Sequence, residues 1–571
     1  MPNFYKDNPD LIFHLKNLDL DKIIELKEDY FKDKDKFDYA PVDIEDAKDS
    51  YERILEVVGD IAGNVIEPNA ASVDEEGAQL IDGEVVYAKG TQEALKLIKQ
   101  AELTGITMPR KYGGLNCPLT IYVMAIEIVS RADAAFMNIF GLQDDISHTI
   151  LKFGDEEIKD KYLPLLCSGE VTSSMALTEP DAGSDLQSVM LKAYQDENGN
   201  WYLKGVKRFI TNGNGKISLV LARSEEGTKD ARGLSMFLYE RDDKMKIRRI
   251  EDKLGIHGSP TCELQFNDAP AILVGKRKMG LIKYVMSLMN EARIGVSAQA
   301  LGIAEAAYRE ALLYAKDRVQ FKTPIIDLLP VSEMLANMNM KIQAGRTLLY
   351  ETTRVVDMKD VLEDHIEKYP EKKKELKAEL KKYIHYADLL TPMVKAYNTE
   401  MANQVAYDCI QVHGGTGYMK DFNAERYYRD ARITSIYEGT TQLQVVAAIG
   451  GVMKGTAVEL IEEYEQKYDF SKLGSIYNTL KEMKEKLISA VSFVREKADP
   501  EYQHLHSRRL VELTTNVVIG YLMAKDALVN TEKKSILTYF IEYSYPEVNK
   551  LHFIITNNFK SLIDKREELL R

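Results

Sequence analysis

Glu438, in RYYRDARITSIYEGTTQLQ at 426–444, is the side chain best placed to do chemistry. It stands between Tyr437 and Gly439, where one helical pattern stops and another starts. A carboxylate at such a junction can be lifted out of bulk water, which raises its pKa and makes it a usable general base near neutral pH. The plainer alternative is an acidic residue complementing the positive end of a helix. Three further segments could hold a ligand. MALTEPDAGSD at 175–185 places Gly183 and Ser184 beside an Asp181–Ala182 turn, offering N–H groups and hydroxyls to a phosphate, a pyrimidine edge or a thioester tail. A Pro-Asp turn with Ser and Thr caps is its structural alternative. RFITNGNG at 208–215 runs a strand end into an Asn-Gly turn, so Phe209 and Thr211 could face a flat ring and hydrogen-bond it. A hairpin with a core phenylalanine would look the same. In QVHGGTGYM at 411–419, Gly414, Gly415 and Gly417 let backbone approach a pyrophosphate closely, or simply cap a helix. This is no Rossmann signature, since GxGxxG and a preceding strand are both missing.

The elements that must position these residues change texture along the chain. Apolar residues recur at three and four through VDIEDAKDSYERILEVVGDIAGNVI and TQEALKLIKQAELTGI, giving an N-terminal helical domain over 1–168. Short alternating runs broken by Gly, Asn and Asp then indicate a middle antiparallel β domain over 169–276. Helices return as a bundle over 277–450, opening with the small-residue stretch GLIKYVMSLMNEARIGVSAQALG. The Lys- and Glu-rich stretch at 358–382 reads as a charged insertion forming a solvated helical hairpin. A C-terminal helical extension occupies 451–571. The fold class expected is α+β, mainly α.

Composition narrows the function. With 571 residues, 45% hydrophobic and 29% charged, the chain is of globular type. Its 75 Lys and Arg against 89 Asp and Glu leave a net charge of -14, a field that repels nucleic acid. Cys117, Cys167, Cys262 and Cys409 show neither metal-ligand nor disulfide spacing, so no metal site and a reducing compartment are expected. MPNFYKDNPDLIFHLKNLDLDK lacks the h-region of a signal peptide, and no apolar run reaches the roughly 18 residues of a membrane span. The expected location is cytoplasmic.

The four motifs, in this order and with GIHGSPTCELQF at 255–266 and YAKDRVQF at 314–321 between them, resemble the acyl-CoA dehydrogenase family over residues 45–450, in its long form with a C-terminal helical extension. That resemblance implies an acyl-CoA dehydrogenase-like fold of helical, β and helical-bundle domains and FAD as cofactor. It implies that Glu438 removes an α-proton while the β-hydrogen leaves as hydride to FAD, giving a trans-2-enoyl-CoA, with electron transfer flavoprotein as acceptor. Met175, Leu177, Thr178 and Ser184 fall on the segment that touches flavin, Ser184 also on the acyl-CoA side. Phe209 and Thr211 match the pair at the flavin ring. Arg318, Phe321, Gln411, Gly414 and Gly415 match positions reaching the flavin of a neighbouring subunit, and Thr440 and Gln442 match flavin contacts after the base. Asn290, Arg293, Tyr437 and Gly439 match positions near the acyl-CoA. The extension implies a homodimer, because in long relatives it covers the surface through which short ones tetramerise. Peripheral membrane contact is disfavoured, since the helical stretch from Asp469 to Lys497 mixes Lys with Glu.

Three positions depart from the family pattern: Phe209 replaces a frequent Trp, Asn290 a frequent Asp, and Lys322 the glycine usual after RxxF. Some relatives carry their base immediately before the arginine, where this chain has Ala292; Glu291 lies about 100° away around a helix. Two alternatives stay open, an acyl-CoA oxidase using oxygen and a non-catalytic flavin- and CoA-binding assembly protein.

Overall fold

The structure is a computed structural model that describes residues 2–571. Two helices of the first third form its centre. The first, α1 (Leu119–Ala132), is apolar on nearly every side, and every residue from Thr120 to Ala132 is buried. A helix without a polar stripe must be enclosed by others. Its unsatisfied N-terminal amides are met from a distant helix: Leu119 and Thr120 donate to the Asp357 carboxylate at 2.7 and 2.9 Å. The second, α2 (Ala134–Phe153), follows at once, with Asp133 as its N-cap.

The β region holds β1 (Ser173–Ala176), β2 (Lys192–Gln195), β3 (Trp201–Thr211), β4 (Ile217–Arg223), β5 (Leu234–Glu240), β6 (Met245–Ile250) and β7 (Thr261–Leu273). Pairings β4–β2, β2–β3, β3–β7, β7–β5 and β5–β4 close the sheet on itself. The expected antiparallel pattern holds for most of it, but β1 and the first residue of β2 run parallel to β4. Those pairings join segments separated by other strands, so no local turn signal announces them. Val220, Phe237, Leu264 and Phe266 fill the inside, while Leu219, Leu221 and Leu238 meet Ile146 and Ile150 of α2. The barrel is thereby fixed to the helical layer.

Then come α3 (Met286–Asp317), α4 (Leu329–Lys368), α5 (Lys373–His413), α6 (Ala424–Thr434) and α7 (Thr441–Lys454). Small residues on α3 allow close approach. A Cβ on Gly302 would sit 2.5 Å from the Glu127 carbonyl of α1, a clash only glycine avoids. The charged stretch at 358–382 forms the tip of the α4–α5 hairpin and is only partly solvated. Met358, Val361, Leu362 and His365 are buried, and Asp360 lies 4.0 Å from Lys152 of α2. In the C-terminal extension, α8 (Pro500–Val529) lies on α4 and α7, its Lys525 pairing with the buried Glu351 at 3.1 Å. The four cysteines are buried and free.

One buried cation ties the helical layer together. Arg346 of α4 reaches Glu127 of α1 at 2.7 Å, Glu305 of α3 at 2.8 Å and Asp10 at 2.6 Å. Its loss would leave the buried Glu127 with no cation among the described residues, whereas Glu305 keeps Arg309 and Asp10 keeps Lys533. Arg346→Met is expected to destabilise the fold by about 3–5 kcal/mol, read by denaturant unfolding.

Candidate active site

Glu438 lies in the connection between α6 and α7. Its φ is +52° and that of Gly439 +90°, two successive left-handed residues that turn the chain sharply into α7. Only glycine adopts the second without strain, and a Cβ there would stand 2.8 Å from Gln444 Nε2. Thr440 accepts from the Leu443 N–H as N-cap of α7, so its side chain is partly committed to the helix. Gln442, one residue into that helix, is exposed.

The Glu438 carboxylate makes no hydrogen bond and no ion pair among the described residues, and its backbone N–H has no acceptor. Burial raises its pKa, while Lys395 and Arg293 pull it back down. Lys395 comes from the interior of α5 and is fully buried. Its ammonium donates to the carbonyls of Thr434 and Gly439, both at 2.8 Å, clamping the turn on each side of Glu438. Burial pushes this lysine down to about 7. Gln444 also donates to the Gly439 carbonyl, at 2.8 Å. Neither Lys395 nor Gln444 was expected from the sequence. A lone lysine inside LLTPMVKAYN is the signal that could have found the first, because an unpaired cation is rarely left in an apolar helix face.

Arg293 of α3 is buried, and its Nη1 donates to Asn290 Oδ1 at 2.9 Å. Asn290 is exposed at the cleft edge, so it orients the arginine without adding charge. The Tyr437 hydroxyl is bonded to Gln299 and Asn138, leaving the half-buried ring to face a substrate. Glu291 pairs with His148 of α2 at 2.6 Å, which commits it and removes it as a rival base. A cavity of about 330 Å³ borders Asn290 and Arg293 and extends to Lys359, His385 and Lys454.

The barrel supplies a second wall. Phe209 sits on a bulge of β3, between the paired residues Lys207 and Ile210, with φ +61° and a half-exposed ring. The strand is held there by the Arg208 N–H donating to the Thr178 carbonyl at 2.9 Å. Thr211 and Thr178 are half-buried, Met175 likewise, and Gly183 and Ser184 are exposed. Leu177 differs: its side chain is in the core and its carbonyl accepts from Lys207, so only its N–H could serve a ligand. The buried Lys207–Glu179 pair, at 2.9 Å, with Glu179 also accepting from Met190 and Leu191, fixes the TEPDAG turn.

Arg318, Phe321, Gln411, Gly414 and Gly415 gather elsewhere. Tyr314 stacks on His413 and bonds Thr416, bringing the end of α3 to the glycine turn. Arg318, Phe321 and Gln411 are exposed, and a Cβ on Gly414 or Gly415 would meet nothing within 4 Å, so the turn is open. Lys322 is exposed with φ +68°, a left-handed conformation that favours glycine. From Arg293 to Arg318 the distance along α3 is about 37 Å. The two groups therefore cannot meet within one chain.

The half-exposed Phe209 ring, the Thr211 hydroxyl and the open backbone at Gly183 form one part of the kind of cradle that FAD requires, and the distant glycine turn offers a second. With the unpaired Glu438 carboxylate in the α6–α7 connection, the fold and site define a flavin-dependent oxidoreductase. The chain belongs to the acyl-CoA dehydrogenase family: residues 48–170 match its N-terminal domain, 174–269 its middle domain, 294–442 its C-terminal domain, and 453–562 a further acyl-CoA dehydrogenase C-terminal region. It is 32% identical over 532 residues to the 3-methylmercaptopropionyl-CoA dehydrogenase of Ruegeria pomeroyi, covering 86% of each chain. It is 36% identical to the NADH-dependent acryloyl-CoA reductase of Anaerotignum propionicum, over 66% of this chain and 90% of that one. Its fold also matches an acyl-CoA dehydrogenase of Bacillus anthracis complexed with FAD, with a TM-score of 0.76 at 22% identity, covering 91% of this chain and 90% of the other.

Proposed function

We propose that the chain carries out α,β-dehydrogenation of an acyl-CoA thioester, with Glu438 as the base and electron transfer flavoprotein as the electron acceptor. The observation that carries this reading is the carboxylate itself, partly desolvated, free of partners and set beside an equally free backbone N–H. Bound FAD supplies the acceptor for the β-hydrogen, leaving as hydride. Glu438 takes the α-proton, and its N–H donates to the thioester carbonyl as negative charge builds on that oxygen, a contact that strengthens toward the transition state. Arg293 and Lys395 stabilise the carboxylate before transfer. Phe209 and Thr211 would hold the flavin ring, and Ser184 and Asn290 would border the CoA chain. The similarity to a reductase supports a site able to run in either direction, according to the electron donor.

Anaerobic titration with a panel of acyl-CoA thioesters tests the reading: one class should bleach the flavin absorbance. Flavin that stays oxidised with every thioester would contradict it, and oxygen consumption would mark an oxidase instead.

The separation of Arg318 from Glu438 supports a homodimer in which each flavin is completed by both subunits. Neither the inactive Glu438→Gln chain nor an Arg318→Ala chain should turn over alone. Unfolding and refolding them together should restore one active site in some dimers, measured as regained activity at equal protein; no recovery would argue against sharing.

A further inference from the structure

GIHGSPTCELQF supplies none of the flavin or acyl-CoA positions, yet the loop 251–260 at its head joins the two walls of the site. The loop leads into β7, where Thr261 pairs with Thr211 of β3 and the Asn212 N–H donates to the Pro260 carbonyl at 2.7 Å. On its other side it meets α6, the helix that ends just before Glu438. The Ile256 N–H donates to Asp430 Oδ1 at 2.6 Å, and a Cβ on Gly255 would stand 2.6 Å from the same oxygen and 2.7 Å from the Arg429 carbonyl carbon. The loop backbone therefore lies directly on α6. Whatever fixes this loop sets the spacing between the base and the end of β3 that carries Phe209 and Thr211.

His257 fixes it to the helical layer. Its Nδ1 lies 3.0 Å from Asp74 Oδ1 and 3.2 Å from the Asp74 carbonyl, near the end of the helix Glu67–Glu76, and its Nε2 lies 2.8 Å from the Lys253 carbonyl. Carbonyl and carboxylate oxygens only accept, so each ring nitrogen must carry a hydrogen. A neutral ring would set one lone pair against an oxygen; the arrangement is that of an imidazolium. Asp74 is shared, because Arg429 of α6 donates to it at 2.6 and 3.1 Å and to the Leu254 carbonyl at 3.3 Å. One carboxylate thus gathers the helix, the loop and α6. The other charges here are Glu425, which accepts from Arg429 at 2.6 Å, Lys253, which donates to the Ser259 carbonyl at 2.8 Å, and Asp252 beside it. Arg426 and Asp430 of α6 and Asp133 at the start of α2 complete the set. The bond to Asp74 raises the pKa of His257 above its ordinary value. Its contribution is complete below the ordinary histidine range, near about 6.5, and is lost as pH rises through the raised value. Burial pushes Asp430 up to about 7, so only a substitution at His257 separates the two.

We propose that His257, as the imidazolium, is a positioning residue that locks the loop 251–260 to α6 and so holds Glu438 at its distance from Phe209 and Thr211. This role rests on Glu438 being the base and goes beyond it, since turnover then depends on a proton remote from the substrate. The test compares the FAD-loaded full chain with His257→Arg, which keeps a charged fork of donors, and with His257→Gln, which cannot carry charge. With an acyl-CoA that bleaches the flavin, wild-type kcat should fall about ten-fold between about pH 7 and about pH 9, with KM little changed. His257→Arg should remove most of that fall, and His257→Gln should show the lowered kcat already at about pH 7. Tm needs no substrate and should follow the same order, wild type losing about 2 °C more than His257→Arg over that range. An equal fall in all three chains belongs to Asp430 or to the chemical step and would overturn the lock, as would wild-type kcat and Tm in His257→Gln. If Tm follows the order and kcat does not, the positioning role is overturned while Glu438 stands as the base. Bleaching by no thioester overturns both, whatever Tm shows.

Discussion

Glu438→Gln should lose about 10⁴-fold in turnover with any acyl-CoA while retaining FAD. Glutamine keeps the shape and polarity of the side chain but cannot accept the α-proton, so binding survives and the chemical step does not. The size of the effect follows from the site's economy. Glu291, the neighbouring carboxylate on α3, is paired with His148 at 2.6 Å and so cannot substitute as base. Steady-state kinetics should show the loss in kcat, with KM little changed and the flavin spectrum intact. A residual rate within ten-fold of wild type would move the base elsewhere.

The second large effect is expected at Lys395, which touches no substrate and acts through Glu438. Lys395→Met removes the buried donor to the Thr434 carbonyl and one of two donors to that of Gly439, the other being Gln444. Leaving a buried carbonyl unsatisfied costs about 1–3 kcal/mol, so Tm should fall. The turn at Glu438 and Gly439 loses its clamp, and a displacement of the base by about 1 Å is enough to cost on the order of 100-fold in kcat. The pH profile separates this role from a purely structural one. Burial raises the pKa of Glu438, and the cations Lys395 and Arg293 oppose it. With Lys395 gone only Arg293 remains, so the acid limb of the kcat profile should move to higher pH. Arg293 and Glu400, the other charges acting on Lys395, are untouched by the substitution. An acid limb that stays in place would reduce Lys395 to a packing residue.

Much of the frame was legible because helix and strand write different periods into the chain. The apolar spacing of three and four gave way to alternation near Val171 and returned after Gly280, and the sheet and bundle begin close to those points. Glu438 was legible for a local reason, since it interrupts two helical patterns and is followed by a glycine that the turn requires. What could not be read were relations between distant segments. The parallel pairing of β1 with β4 depends on segments some forty residues apart. Lys395 and Glu438 meet only because α5 passes beneath the α6–α7 connection, and nothing in LLTPMVKAYN states which turn its lysine will hold. At 358–382 composition was a partial guide: the Lys- and Glu-rich tip is solvated, but the residues before it are drawn into the core against α2.

Proton abstraction can be tested without the redox step. A β-thia acyl-CoA has an α-proton to lose but no β-hydrogen to give, so exchange of its α-proton in deuterated water reports the base alone. The FAD-loaded enzyme should exchange one α-proton stereospecifically, visible by NMR, and Glu438→Gln should show no exchange above solvent. Equal exchange in the two proteins would contradict the assignment of Glu438 as the base.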